Sequence, residues 1–190
     1  MKIKVLHTIP DLQIGGVANL ILLLLEEFED SNYEHHLCYF GKDETLLARF
    51  SCLNVTIHKI EHLGKWSLFN TIFKFNELIK SNNFDIIHSH LMLDRAIAGL
   101  CYLLNKVPII TTIHTTNIAT NHSRFYSRLK LHMEDFLGKL TTTKFVAISK
   151  TVKEISIKYR GIPENKITII YSGIKIKDYK SRSYNNRPFK

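Results

Sequence analysis

Short apolar runs alternate along the chain with stretches whose apolar residues recur every three or four positions. Ile3 to Ile9, an extended segment rich in Val, Ile and Leu, predicts a first strand. Val17, Leu20, Ile21, Leu24, Leu25 and Phe28 then fall at helical spacing. His36 to Phe40 predicts a second strand, Glu44 to Phe50 a short helix, and Val55 to Ile60 a third strand of alternating polarity. Leu68, Ile72, Phe75 and Ile79, flanked by Phe69 and Phe73, mark the next helix, and Asp85 to His90 a fourth strand. Leu93, Ile97, Leu100, Cys101 and Leu104 describe a helix that ends near Asn105. Pro108 to His114 follows as a fifth strand, with proline first, where its missing N–H costs least. Beyond a polar loop, Thr115 to Ser123, a helix is predicted from Phe125 to Leu140 with Leu129, Met133, Phe136, Leu137 and Leu140 inward. Lys144 to Ile148 is the sixth strand, Ser149 caps a helix running through Tyr159, and Lys166 to Tyr171 is the seventh.

Strands alternating with helices imply right-handed crossovers and a parallel sheet. The expected fold is α/β: a Rossmann-like three-layer domain with a parallel sheet of about seven strands and helices on both faces. Strands one, four, five and six carry the continuous apolar runs of a sheet centre. Residues 1–175 read as one domain. Residues 176–190 lose the periodicity, carry Lys177, Lys180, Arg182, Arg187 and Lys190, and read as a linker or tail.

At 190 residues, 45% hydrophobic and 23% charged, the chain can bury a substantial core, which argues against wholesale disorder. Its longest apolar stretch, Leu20 to Leu25, is far shorter than a membrane span of about 20 residues. Met1 to Lys4 leads into no secretory h-region, and Cys38, Cys52 and Cys101 are expected as free thiols packed in apolar segments. A cytoplasmic protein is therefore expected. The formal charge of +9 favours phosphorylated ligands or anionic lipid headgroups; without an Arg-rich run interleaved with aromatics, nucleic acid is not expected as a partner.

In open parallel sheets, ligands bind outside the carboxyl ends of the strands. There, strand one delivers Gly15-Gly16 before a helix, where glycine tolerates positive φ and lets an anion approach the main chain. Neither the third glycine of a dinucleotide loop nor a P-loop run is present. Strand four ends in His88-Ser89-His90, strand five in His114-Thr115-Thr116-Asn117, and strand six in Ser149. His88 and His90 have metal-ligand spacing with His114 as a third group, yet no acidic partner or cysteine joins them, so no metal is expected. His90 and His114 are expected to face the crevice, while His88 and His7 are expected to be packed. His35, His36, His58 and His62 are expected to face solvent. No nucleophile elbow or activated cysteine stands out.

Taken in order, several segments resemble family 4 (group 1) glycosyltransferases of GT-B fold, in their N-terminal half. Leu6-His7-Thr8-Ile9-Pro10-Asp11-Leu12-Gln13-Ile14-Gly15-Gly16 resembles that family's first strand and Gly-Gly loop. Asp85-Ile86-Ile87-His88-Ser89-His90 resembles its Asp-Ile/Val-Ile/Val-His-x-His strand, and Pro108-Ile109-Ile110-Thr111-Thr112-Ile113-His114 the strand after it. Phe145 to Lys150 and Ile162 to Ile174 resemble the approach to the interdomain hinge.

The resemblance implies transfer of a sugar from a nucleotide-sugar donor to a saccharide or lipid-linked acceptor, in cell-surface polysaccharide or glycolipid synthesis. It implies that Gly15 and Gly16 lie near the donor diphosphate and that His114, the catalytic candidate, contacts the donor sugar or the space between donor and acceptor. His90, Thr115, Asn117 and Ser149 would line the acceptor side. No cofactor and no metal are implied beyond the nucleotide-sugar co-substrate. Location on the inner membrane face is expected from the charge.

Ser172-Gly173-Ile174-Lys175 departs from the family's Asn-Gly-Ile/Val-Asp at the hinge. The donor-binding half, with its Glu-x7-Glu pair, is not within these residues, so the 190-residue chain is expected to be inactive alone. Two alternatives stand beside this reading: an acceptor-binding half that recruits a catalytic partner subunit, and a related enzyme such as a nucleotide-sugar epimerase.

Overall fold

The computed structural model describes residues 2–28, 32–61, 67–115 and 135–173. Asn117, His62, most of the loop after His114, the first part of the helix predicted from Phe125 and the 176–190 tail lie outside the described residues. Seven strands form one sheet: β1 (Ile3–Ile9), β2 (Tyr33–Tyr39), β3 (Val55–Lys59), β4 (Ile86–Ser89), β5 (Ile109–Ile113), β6 (Thr142–Ala147) and β7 (Ile167–Ile169). Their spatial order is β3-β2-β1-β4-β5-β6-β7, and every neighbouring pair is parallel. The order reverses between β1 and β4, because β2 is laid down on one side of β1 and β4 on the other.

Alternation along β1 and β2 sends side chains to two cores. On one face Leu6, Cys38, Phe40, Ile87 and Ile109 pack with Phe75 and Ile79 of α3 (Ser67–Asn82) and with Ile97, Ala98 and Cys101 of α4 (Met92–Asn105). On the other, Ile9, Leu37 and Tyr39 pack with Ala18, Ile21, Leu22 and Leu25 of α1 (Gly16–Glu27) and Phe50 of α2 (Leu47–Ser51). A third cluster joins Ile113, Phe145 and Ala147 to Val152 of α6 (Lys150–Arg160). The helical residues 135–141 (α5) precede β6. Asp135 reaches both Arg95 of α4 at 3.0 Å and Arg160 of α6 at 3.7 Å, tying three helices together.

Three expectations are corrected. His35 and His36 are buried, at 8% and 4% exposure, because β2 begins at Tyr33 and is flanked by β1 and β3. Half-buried His58 accepts or donates to His36 across 2.9 Å instead of turning to solvent. Cys52 is exposed at the end of α2, while Cys38 and Cys101 are buried as expected. Gly41 shows a glycine demanded by close approach. A Cβ there would lie 2.7 Å from the Asp11 side chain and 2.9 Å from the Pro10 carbonyl oxygen, where the loop after β1 crosses the end of β2.

Candidate active site

The loop from β1 reaches α1 through Gly15, whose φ of −167° and ψ of 169° are extended. The expected need for positive φ is therefore absent, and the second reason for glycine remains. A Cβ at either Gly15 or Gly16 would meet nothing within 4 Å among the described residues, so packing against them does not demand glycine at either place. No side chain caps α1 and its first turn holds no acidic residue. The first amides of a helix without such a cap, with the positive end of its dipole, suit an anion.

The second helix start at this edge is filled from within. Asp94, fully buried in the first turn of α4, accepts from the backbone N–H of His90 at 2.7 Å and of Leu91 at 2.9 Å, and from the Thr8 hydroxyl at 2.9 Å. Burial pushes its carboxyl up to about 7, against these hydrogen bonds, which favour the charged form. Asp94 thereby ties β1 to the turn that carries His90. Sequence reading missed it because apolar Leu91 stands at the N-cap; the acidic residue three places on was the available signal.

Between these helix starts lies a row of imidazoles. The parallel register sets His7 opposite His88, and the centroids of the His88 and His90 rings are 4.1 Å apart. His7 Nε2 meets His35 Nδ1 at 3.2 Å, His88 Nε2 meets the Thr112 hydroxyl at 2.8 Å, and His90 Nδ1 meets His114 Nε2 at 3.2 Å. Burial drives all of them toward the neutral form. His88 falls to about 4, with His114 adding repulsion, and His114 falls to about 4 from burial. His7 and His90 lie well below the ordinary range, through burial first and neighbouring imidazoles second. Neutral imidazoles at a strand edge can exchange hydrogen bonds with hydroxyl groups without carrying charge.

The structure thus brings His90 and His114 together, as their strand-end positions suggested, although His90 is buried at 3% exposure and His114 is half-buried. Ser149 sits at the end of β6 with its hydroxyl accepting from Val152 N–H at 3.2 Å, the cap expected of it. Thr115 is exposed beside His114. A cavity of about 310 Å³ opens beside the row, floored by His88, His90 and Thr112 and walled by Leu20, Leu24 and Phe28 of α1 with Val146, Ile148 and Ile170.

Comparison with known proteins fits this architecture. Among curated relatives, the capsular polysaccharide biosynthesis glycosyltransferase CapH of Staphylococcus aureus is 26% identical over 179 residues, covering 92% of this chain and 48% of that protein. The uncharacterized glycosyltransferase MJ1607 of Methanocaldococcus jannaschii is 22% identical, covering 85% of this chain and 43% of its own length. The chain thus spans less than half the length of these relatives. Among solved structures, Anabaena Alr3699/HepE in complex with UDP-glucose superposes with a TM-score of 0.77 at 14% identity, covering 93% of this chain and 45% of that one. UDP-N-acetylglucosamine 2-epimerase from Rickettsia bellii shares the fold at a TM-score of 0.64 and 12% identity, over 90% of this chain and 45% of its own. The family model for Glycosyltransferase Family 4 matches residues 14–178, from the loop before the glycine pair to the last residues of the sheet domain and beyond, and the chain belongs to that family.

Proposed function

We propose that this chain is the acceptor-side domain of a GT-B glycosyltransferase that moves a sugar from a nucleotide-sugar donor to a saccharide or lipid-linked acceptor. The observation that carries the reading is the start of α1. Two glycines lie where added side chains would meet only open space, ahead of helix amides that no side chain caps. Such amides suit a diphosphate whose charge grows as the sugar bond breaks, and they do so without a metal. The HepE structure holds UDP-glucose, which supports a nucleotide sugar as the donor. CapH, a capsular polysaccharide enzyme by name, supports a surface polysaccharide as the product.

His114, neutral at the end of β5, would hydrogen-bond the sugar being transferred, and His90 would hold its ring through the 3.2 Å contact. Thr115, Ser149 and Asn117 would border the acceptor. The donor-binding half would come from a second domain, so residues 1–175 acting alone should not turn over.

Gly16→Val tests the reading directly, because an added Cβ meets nothing within 4 Å among the described residues. In the enzyme joined to its donor-binding domain, kcat/KM for a sugar nucleotide should fall by about 10² or more, with stability changed by less than about 1 kcal/mol. The 190-residue chain itself should release no nucleotide above background in a coupled assay. Wild-type turnover by Gly16→Val, or turnover by the isolated chain, would contradict the proposal.

A further inference from the structure

The imidazole row contains more nitrogen than its hydrogen bonds consume. His7 and His90 are 2% and 3% exposed, yet His7 Nδ1 and His90 Nε2 are buried without a hydrogen-bond partner among the described residues. His35 Nε2, on the ring beside His7, is likewise buried without a partner among the described residues. Leaving a buried polar atom unpaired costs about 1–3 kcal/mol, so the His7 and His90 nitrogens, which lie on either side of His88, ask for an occupant. One ring nitrogen from each of His7, His88 and His90 lies within 4.8 Å of the other two.

One set of tautomers satisfies all three contacts. His7 donates from Nε2 to His35, His88 from Nε2 to Thr112, and His90 from Nδ1 to His114. That assignment leaves lone pairs on Nδ1 of His7, Nδ1 of His88 and Nε2 of His90. Each ring is then held by a partner on one nitrogen while its other nitrogen stays free, the arrangement that positions histidine ligands around a metal.

We propose that His7, His88 and His90 bind one borderline divalent transition ion of the zinc class, with its fourth position open to the cavity beside α1. Zinc takes imidazole nitrogens at about 2.0–2.1 Å, so in a tetrahedron they sit about 3.3 Å apart, and ring rotations must close the longest gap by roughly 1.5 Å. Three nitrogens and no carboxylate select zinc, cobalt, nickel or copper over magnesium, which demands oxygen. The ion would clamp β1 to β4 at their carboxyl ends. His88 and His90 both line the cavity, which gives the ion a way in. The inference stands apart from sugar transfer: the site lies wholly within this chain and is tested without turnover.

The test uses the 190-residue chain stripped with a chelator and titrated with Co2+, then with Zn2+ in competition. One equivalent should bind by equilibrium dialysis, with the intense visible bands of a tetrahedral cobalt ion, and Mg2+ should not compete. H88Q and H90Q should each weaken binding about 100-fold or more, whereas H58Q, in the separate His36–His58 pair, should bind as wild type. If either variant fails to fold, imidazole 15N spectra of the wild-type chain decide: zinc should move the signals of His7, His88 and His90. Absence of saturable binding, binding kept in H88Q and H90Q, displacement by Mg2+, or zinc shifts confined to other histidines would each overturn the site and leave ordered water as its occupant.

Discussion

Acid should destabilise this domain well before its surface carboxylates protonate. His88 and His114 each titrate at about 4 in the folded chain, against about 6.5 when unfolded. Below pH 6.5 the unfolded chain binds protons that the native chain refuses, so stability falls with pH until the folded values are passed. At pH 5 each of the two costs about 2 kcal/mol by that linkage. Asp94 acts in the opposite sense. Its folded value of about 7 lies above the ordinary 3.8, so the native chain takes up a proton between those limits and gains stability on acidification. That gain is about 2–3 kcal/mol at pH 5 relative to pH 8, smaller than the two histidine losses together. His7 and His90, also depressed by burial, add to the loss. With chelator present, urea denaturation followed by circular dichroism should therefore give a free energy of unfolding that drops from pH 6.5 to pH 5 by at least about 1–2 kcal/mol. Asp94→Asn removes the opposing proton uptake, so its decline between pH 8 and 5 should be steeper by about 2–3 kcal/mol, whatever its starting stability. A wild-type profile that is flat or rises toward pH 5 would refute the reasoning.

Two further predictions rest on the same surfaces. His114→Ala, in an enzyme with its donor domain, should lower kcat/KM by about 10² or more while costing about 1 kcal/mol of stability, the scale of its one hydrogen bond to His90; normal transfer would remove it from the site. Leu68, Phe69 and Phe73 of α3 are 41%, 72% and 65% exposed near Lys74 and Lys80 on the same helix, so the chain should co-sediment with anionic liposomes at low salt and detach near 0.5 M, where screening shortens to about 4 Å. Equal binding to neutral liposomes would exclude electrostatic docking.

Much of the fold was legible in the chain because each buried strand announces itself locally. Ile3 to Ile9, Ile109 to Ile113 and Phe145 to Ala147 are segments rich in β-branched and apolar residues, and α1 and α4 show helical spacing before any tertiary fact is known. Histidine was harder to read, since its burial is decided by neighbours far along the sequence. His7 meets His88 only because β1 and β4 pair in one register, 81 positions apart. His35 and His36 looked marginal until β2 proved to start at Tyr33 and to lie between two strands. The His88–His90 pair shows as a local spacing, but the place of His7 beside it is a product of register that no local pattern reports. Gly15-Gly16 was visible as a motif, but only the backbone shows that open space, not a left-handed turn, is what glycine supplies there.

The strand order explains why chemistry should gather where it does. Chain direction on the sheet reverses between β1 and β4, so the helices that follow them leave toward opposite faces and a crevice opens between their first turns. Both helix starts present amides, yet the chain treats them differently. At α4 its own carboxylate, Asp94, takes the His90 and Leu91 N–H groups and is held by Thr8. At α1 no carboxylate and no capping side chain is supplied, and the two glycines keep approach clear. A fold that needed only stable helix ends would gain about a few tenths of a kcal/mol by placing Ser, Asp or Asn at position 15. Glycine there forgoes that stabilisation at one of the two helix ends where a ligand could bind. Under the proposed function, filling one start from within and leaving its twin open would direct the donor's anion to Gly15-Gly16, while the contact between His90, fixed beside the filled start, and His114 would hold both imidazoles at the same crevice.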